Sequence, residues 1–208
     1  MIKYCIFDIG NVCYPYSPKP LHDYIRHSVD DKKSFDKMGG IYSFDFYPLL
    51  KGEISFSQYC QDLCFHFGLS FSENLEKIFY SLEHECIGSF IPETKQLMQE
   101  LSSKGYEICL LSNITPDLED IVPQSVDADK RFLSYELGMI KPDIEIYKYV
   151  LDKLHARPEE TLFIDDLPVN ISAAQKLGMN GLVFHQKTII RDVHDILFSC
   201  PQKLLDQN

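Results

Sequence analysis

Residues 2–12 read IKYCIFDIGNV, and this stretch decides the fold that the rest of the chain has to match. It is a short apolar run that ends in an aspartate, Asp8, followed closely by Gly10 and Asn11. Such a run, bounded by glycine and asparagine, is typical of a buried strand that leaves its sheet in a tight turn. A carboxylate at that exit loses its hydration unless a cation or hydrogen bonds receive it. Asp8 is therefore either a turn-capping residue or part of a site.

Two later runs end in the same way, YEICLLSN at 106–113 and TLFIDD at 161–166. Their polar ends supply four further side chains: Ser112, Asn113, Asp165 and Asp166. In open α/β sheets, ligands bind beyond the carboxyl ends of parallel strands, so neighbouring strands would bring these residues and Asp8 into one crevice. Clustered carboxylates repel each other unless one holds a proton or a cation lies among them. Oxygen ligands of this kind favour Mg²⁺ over zinc.

Four pieces of the chain form a pattern in a fixed order: FDIGNV at Asp8, the Ser112–Asn113 step, the lysine of GMIKPD at Lys141, and the acidic pair in FIDDLPVN. Together they span Ile2 to about Lys187 and resemble the haloacid dehalogenase superfamily of hydrolases. The FDxGNV opening is similar to the sugar-phosphate phosphatase branch that includes α-D-glucose-1-phosphate phosphatases. The resemblance implies an α/β fold, a three-layer Rossmann-like parallel sheet core with a small helical C1-type cap inserted after the first strand.

The expected catalytic residues are Asp8, Ser112, Asn113 and Lys141. A carboxylate can attack phosphorus to give an aspartyl-phosphate that water then cleaves, and the resemblance also implies that Asp8 is this nucleophile. The Ser112 hydroxyl and the Lys141 ammonium would neutralise phosphoryl oxygens, which is most of what phosphoryl transfer asks of a protein. For Lys141, the alternative interpretation is a solvated surface lysine.

The expected cofactor is Mg²⁺, held by Asp8, the backbone carbonyl of Gly10 and Asp166. Asp165 is a further ligand, either direct or through water, and the sequence leaves open which aspartate touches the metal. Asn170, one helical turn later, is expected to hydrogen-bond the acidic pair from behind.

Gly10 departs from the wider superfamily, in which most phosphatases carry a second aspartate two residues after the nucleophile. That aspartate protonates the leaving group, and such help is worth about 100- to 10,000-fold in rate. The glucose-1-phosphatase-like branch has the same glycine, so its presence does not imply a dead site. We expect a preference for acidic leaving groups or an acid from the cap, with His22, His27 and His66 as candidates.

The prediction for domain organisation is a core of residues 1–16 and 88–208 and a helical cap of residues 17–87. Three prolines in CYPYSPKP at 13–20 mark a linker, and the following residues have helical rather than strand periodicity. The insert is rich in aromatic residues, most of which should form its own core. After it, strands alternate with helices, which is typical of a three-layer α/β sandwich.

The net charge of −11 over 208 residues argues against nucleic acid or an anionic membrane as partner. The N-terminus does not have the pattern of a signal peptide, and no apolar run reaches membrane-spanning length. The seven cysteines lack CxxC spacing, and we expect Cys5, Cys60, Cys64 and Cys109 to be buried and reduced, as in a cytoplasmic protein. The oligomeric state stays open.

These observations favour a Mg²⁺-dependent phosphomonoesterase that acts on a small phosphorylated metabolite, in particular a sugar phosphate such as a sugar 1-phosphate. One alternative is a 2-haloacid dehalogenase, which uses the same nucleophile without a metal. Gly10 and the acidic pair at Asp165 weigh against that alternative. The other is a non-catalytic protein that binds a phosphorylated metabolite, against which the retained Asp8 argues.

Overall fold

The stretch that contains Asp8 forms the central strand of a parallel sheet. The computed structural model describes residues 1–127 and 130–198. Within them, the strands are β1 (Tyr4–Phe7), β2 (Glu107–Ser112), β3 (Arg131–Leu133), β4 (Thr161–Asp165) and β5 (Asn180–Val183). They pair in parallel in the order β3-β2-β1-β4-β5. The predicted parallel α/β sheet is confirmed.

The strand register aligns the polar ends of the three runs. Phe7 at the end of β1 pairs with Leu110 of β2 on one side and with Ile164 of β4 on the other. The backbone N–H of Asp8 also donates to the carbonyl of Ile164 over 2.9 Å. The residues that follow these partners therefore leave the same edge of the sheet, as the sequence predicts.

Helices cover both faces of the sheet, and alternate residues of β1 show how the faces divide. Cys5 and Phe7 belong to a cluster with residues of the helices α6 (Pro92–Ser103) and α10 (Ile189–Phe198). Ile6 points the other way, into a cluster with α8 (Ile144–Lys153) and α9 (Pro168–Lys176). This is the period of two expected of a strand buried on both sides.

The insert between β1 and β2 is helical. Its helices are α1 (Lys19–Ser28), α2 (Lys32–Met38), α3 (Tyr47–Leu50), α4 (Phe56–His66) and α5 (Glu73–Glu85), with a 3₁₀ turn at Gly40–Ser43. The Ser55 and Ser72 side chains cap α4 and α5 by accepting from Gln58 and Leu75 backbone N–H groups. The insert has its own apolar cluster, with Ile25, Leu63 and Phe79 at its centre. The helical cap after the first strand is therefore present, while the domain limits remain a prediction.

The sequence also predicts a helix that begins at Pro142 and a strand at 181–185, and these two boundaries differ from the structure. The helix expected to begin at Pro142 begins at Ile144. The backbone of Lys141, which precedes the proline, is hydrogen-bonded to the Asn113 side chain, and the Asp143 N–H closes a turn by donating to the Ile140 carbonyl over 2.9 Å. The strand expected at 181–185 ends at Val183, opposite the last residue of β4, Asp165. Beyond that pair, β4 offers no backbone for β5 to continue along.

No helix in the described ranges is both long enough and apolar enough to cross a membrane. Cys5, Cys60, Cys64 and Cys109 are all buried, as predicted from their positions on apolar faces. A short helix, α7 (Ser134–Leu137), follows β3, and a 3₁₀ turn at Pro116–Ile121 contributes Leu118 and Ile121 to the wall of the crevice.

Candidate active site

Asp8 lies just beyond β1 and is buried, with 7% of its surface exposed. Its Oδ1 accepts a hydrogen bond of 2.7 Å from the backbone N–H of Ile9. The same oxygen lies 2.9 Å from the ammonium of Lys141. The Ser112 hydroxyl at the end of β2 is close enough to the carboxylate to lower its pKa. The strand end therefore fixes a carboxylate in place and surrounds it with donors.

Lys141 is a buried lysine, 3% exposed, rather than a solvated one. Its Nζ contacts Asp8 Oδ1 at 2.9 Å and Asp165 Oδ2 at 2.7 Å, and it donates to the carbonyl of Leu111 over 3.1 Å. One buried cation thus bridges two buried carboxylates. Such a cation is stable only because both partners are charged and within hydrogen-bond distance.

Asn113 holds the backbone of Lys141 from both sides. Its Oδ1 accepts from the Lys141 N–H over 2.8 Å, and its Nδ2 donates to the Lys141 carbonyl over 2.8 Å. These two bonds link the end of β2 to the loop that carries the lysine. Asn113 therefore positions Lys141, and neither of its amide hydrogen bonds is made to Asp8.

The acidic pair after β4 is divided by its hydrogen bonds. Asp165 is fully buried, and its two oxygens accept from the Leu167 N–H at 2.8 Å, from Asn170 Nδ2 at 3.0 Å and from Lys141. Asp166 is only half-buried, and within residues 1–127 and 130–198 its one side-chain donor is Asn11 Nδ2 at 3.0 Å. The oxygens of Asp165 are thus occupied by hydrogen-bond donors, while Asp166 can still coordinate a cation.

The three carboxylates of Asp8, Asp165 and Asp166 meet at one point. Each offers an oxygen that lies within 4.8 Å of the others. Gly10 is on the loop beside them and lines the same cavity as Ser112, Asn113, Lys141 and Asn170. An all-oxygen donor set with this spacing fits a hard divalent cation.

The model of the haloacid dehalogenase-like hydrolase family matches residues 2–178. This chain belongs to that family. Among its relatives, the sesquiterpene phosphatase astK of Aspergillus oryzae is 29% identical over 86% of this chain and 88% of its own length. The D-ribitol-5-phosphate phosphatase of Bacteroides thetaiotaomicron is 28% identical over 86% of this chain and 89% of its own. By contrast, the chain spans only 26% of the rat bifunctional epoxide hydrolase 2, with 33% identity over 63% of this chain.

Solved structures with the same fold also belong to this family. A predicted hydrolase of the family from Porphyromonas gingivalis superposes with a TM-score of 0.75 at 23% identity, covering 96% of this chain and all of the other. A family enzyme from Bacteroides thetaiotaomicron, in complex with magnesium and inorganic phosphate, gives a TM-score of 0.71 at 23% identity over 89% of this chain and 96% of its own.

Burial and charge set the ionisation of the site in this dehalogenase-like hydrolase. Burial, with a smaller contribution from the negative Asp165, raises the pKa of Asp8 to about 6 against the pull of Lys141. Burial alone would lower the pKa of Lys141, but Asp8 and Asp165 outweigh it and the pKa is raised. Burial likewise raises the pKa of Asp166, opposed by its hydrogen bond from Asn11. The ammonium therefore stays charged, and the carboxylates are the groups destabilised by crowding.

Asn11 is a site residue that the sequence reasoning treated only as part of a turn. Its backbone is left-handed, with φ of 55°, a region that asparagine tolerates better than most residues. Its Nδ2 holds Asp166, and its Oδ1 accepts from the Tyr16 N–H over 2.9 Å. The signal was present in the GN pair, since asparagine in such a turn has a side chain free to bond its surroundings.

A cavity of about 460 Å³ opens from this site toward the cap. Its walls include Tyr16 from the linker, Phe44 and Leu49 from the insert, and the carboxylic acid Glu83 of α5. Among the described residues that line it, there is no histidine. The three cap histidines considered as replacement acids are therefore not cavity residues in this structure.

Glu83 is the acid that the sequence did not single out. Burial raises its pKa to about 7, the negative Asp117 adds to the rise, and a hydrogen bond with the Tyr59 hydroxyl opposes it. Both carboxylate oxygens of Asp117 are buried without a partner of standard hydrogen-bond geometry, and burial raises its pKa too. No motif marks this pair, because Glu83 and Asp117 meet only through packing of the cap against the core.

Proposed function

We propose that this hydrolase is a Mg²⁺-dependent phosphomonoesterase that acts on a small phosphorylated metabolite through an aspartyl-phosphate on Asp8. The observation that carries the proposal is the buried ammonium of Lys141, 2.9 Å from Asp8 and 2.7 Å from Asp165. It puts a fixed positive charge beside a fixed carboxylate at a strand end, where a dianionic phosphate needs both a nucleophile and charge neutralisation.

Phosphoryl transfer to Asp8 and its hydrolysis require few other groups from the protein. A carboxylate oxygen of Asp8 forms a bond to phosphorus as the ester oxygen departs with its electron pair. Lys141 and the Ser112 hydroxyl, which already contact Asp8, are close enough to neutralise the phosphoryl oxygens. Water then attacks phosphorus, which releases inorganic phosphate and restores the Asp8 carboxylate.

Mg²⁺ would be held by Asp8, the Gly10 carbonyl and Asp166. The fit rests on three carboxylates that offer oxygens within 4.8 Å of one another. Asp165 would contribute charge and orientation more than a direct bond, since its oxygens already accept from Leu167, Asn170 and Lys141. When bound, the ion would supply positive charge opposite the phosphate. Magnesium and phosphate in the related Bacteroides enzyme support this assignment.

The leaving group has no carboxylic acid beside it at position 10. A departing oxygen must then carry more of its own negative charge, which favours acidic hydroxyls such as an anomeric hydroxyl. This supports the predicted preference for a sugar 1-phosphate over a sugar 6-phosphate, and for aryl over alkyl phosphates. The phosphatases among the relatives, on a sesquiterpene and on ribitol 5-phosphate, support phosphate monoesters as the class.

The two alternative functions, a dehalogenase and a non-catalytic binding protein, would each require a different site. A dehalogenase has no use for a cluster of three carboxylates, and a pure binding protein has no use for a nucleophile held by Lys141. Phosphate release from a panel of phosphorylated sugars and p-nitrophenyl phosphate, in Mg²⁺ and in excess EDTA, separates them. We expect EDTA to abolish turnover by the wild type. Asp166→Ala removes a proposed metal ligand, so the variant should lose its activity or its dependence on Mg²⁺. Full activity in EDTA would refute the metal assignment, and no phosphate release at all would favour the binding protein.

A further inference from the structure

The cavity above Asp8 is lined on its cap side almost entirely by apolar and aromatic side chains. They come from four separate parts of the insert, the linker, the 3₁₀ turn, α3 and α4, and include Tyr16, Ile41, Phe44, Leu49 and Tyr59. The same cavity is bounded below by Gly10 and Lys141, so it is continuous with the proposed phosphoryl site. Whatever is esterified to the phosphate must occupy this space.

Exposed apolar residues concentrate at the mouth of the cavity. The described residues include thirteen large apolar side chains that are exposed, and six of them line this cavity. Those six are Tyr16, Tyr42, Phe46, Tyr47, Leu167 and Val169. Single exposed apolar residues need no explanation, but a contiguous group of them around a concave site marks a place where an apolar ligand is bound.

Charge is nearly absent from the walls. Among the described lining residues, the only ones with an ionisable acid or amine are Lys141 and Glu83. Lys141 is at the phosphoryl end and is already paired with Asp8 and Asp165. The cap side therefore offers no cation for a second phosphate or a carboxylate, and burying such a group without a partner is unfavourable. A polyhydroxylated sugar would bury many hydroxyls against walls whose polar groups on the cap side are limited to tyrosine hydroxyls and Glu83.

From these walls we infer that the organic part of the substrate is an uncharged and mainly apolar group, such as an alkyl, terpenoid or alkyl-aryl chain. This rests on the proposed phosphatase function and narrows it away from sugars. The phosphate would bind at Asp8 and Lys141, and the apolar part would lie against the aromatic residues of the insert. Removal of that part from water would supply the selectivity.

The test compares substrates whose leaving groups are equally acidic but differ in apolar surface. One comparison is 4-methylphenyl phosphate with 4-butylphenyl phosphate. The other is glucose 6-phosphate with butyl, hexyl and octyl phosphate. We expect kcat/KM to rise by up to roughly threefold per methylene within each series. Octyl phosphate should exceed glucose 6-phosphate by at least tenfold, although both are primary alkyl esters.

A matched pair of variants locates the effect. Phe46→Ser removes an aromatic ring from the cavity mouth, where it is 43% exposed, so the fold should tolerate it. Phe65→Ser removes a ring from the same insert that is 90% exposed and does not line the cavity. The advantage of 4-butylphenyl over 4-methylphenyl phosphate should fall severalfold in Phe46→Ser and stay unchanged in Phe65→Ser.

Binding without turnover separates this inference from the proposed function. Calorimetric titration of the wild-type protein in Mg²⁺ with methyl- and hexylphosphonate should show tighter binding of the longer ligand. The inference would be overturned if glucose 1-phosphate were the best substrate and kcat/KM did not rise with chain length. That result would leave the proposed phosphatase function standing. A preference for phosphocholine would overturn it too, because the aromatic residues and Glu83 would then form a site for a cation. If no ester is hydrolysed, the phosphatase fails, and the phosphonate titration still decides whether the cavity takes an apolar group.

Discussion

Gly10 is the residue where this chain departs from most phosphatases of its superfamily, and its surroundings can accept a side chain. A Cβ built on Gly10 meets no atom within 4 Å, and its backbone needs no left-handed conformation. The absence of an acid here is therefore not imposed by crowding of the loop. It leaves the departing oxygen without a proton donor on the loop that carries Asp8.

We predict that Gly10→Asp gains most on poor leaving groups. Alkyl phosphates should be hydrolysed about tenfold faster or more, within the usual range for an added general acid. Aryl phosphates should change little, so the dependence of rate on leaving-group acidity should flatten. Gly10→Asn is the control, because it has the same size without an acidic proton. Equal effects of both variants, measured at saturating Mg²⁺, would mean that the new side chain acts by shape alone.

Lys141 also explains why the two carboxylates of Asp8 and Asp165 can share one buried site. We predict that Lys141→Met lowers the free energy of unfolding by about 3–5 kcal/mol in EDTA, since it leaves Asp8 and Asp165 buried without their cation. Lys148→Met is the control, because Lys148 pairs with Glu145 on the surface, where 53% and 68% of the side chains are exposed. Urea unfolding should give the control a loss below about 1 kcal/mol. Equal losses for the two variants would contradict the structural role given to Lys141.

The contact between α5 and the 3₁₀ turn at Pro116–Ile121 joins the cap to the core through two carboxylic acids. Glu83 is on the helix and Asp117 on the turn, with the Tyr59 hydroxyl of α4 against Glu83 and His84 close enough to lower the pKa of both acids slightly. Two acids packed together in a partly dry contact are stable when at least one keeps its proton. The contact should therefore weaken as that proton is lost.

We predict a pH-dependent stability that depends on Glu83. Its pKa rises from an ordinary 4.5 to about 7 on folding, so the folded state binds the proton more tightly than the unfolded one. The stability is then complete below about pH 4.5 and declines as the pH rises toward 7, by up to about 3 kcal/mol. Glu83→Gln should make this decline smaller, leaving the part due to the other acids whose pKa burial raises, Asp8, Asp117 and Asp166. Glu85→Gln, exposed on the same helix, should retain the full decline. Identical profiles for the wild type and Glu83→Gln in urea unfolding at pH 5 and 8 would refute the assignment.

Some features of the fold and of the candidate site can be predicted from the sequence, and others cannot. Asp8, Ser112 and Asp165 could be placed together because each ends an apolar run, and ends of parallel strands meet at one edge of a sheet. The clamp of Asn113 on Lys141 could not, because it joins residues 28 positions apart through the path of a loop. The Glu83–Asp117 contact depends on how the cap packs on the core, which leaves no local pattern in either segment.

The molecule as a whole carries a net charge of −11, and its proposed substrate is also an anion. Approach of a phosphate ester is then slowed by repulsion at long range, and among the described residues that line the cavity Lys141 is the one cation. We predict that kcat/KM for p-nitrophenyl phosphate rises about two- to threefold when NaCl increases from 20 to 200 mM at saturating Mg²⁺, because salt screens the repulsion. The kcat should stay the same. A fall in kcat/KM would mean that a local positive field outweighs the net charge.

The proposed reaction passes the phosphoryl group through a covalent bond to Asp8. Borohydride reduces an aspartyl-phosphate to homoserine, so the protein is mixed with Mg²⁺ and p-nitrophenyl phosphate, quenched with borohydride, and digested for mass spectrometry. We predict homoserine at position 8 in the wild type, none without substrate, and none in Asp8→Asn, which should also lose turnover. Steady phosphate release with Asp8 unmodified, or substantial turnover by Asp8→Asn, would contradict it.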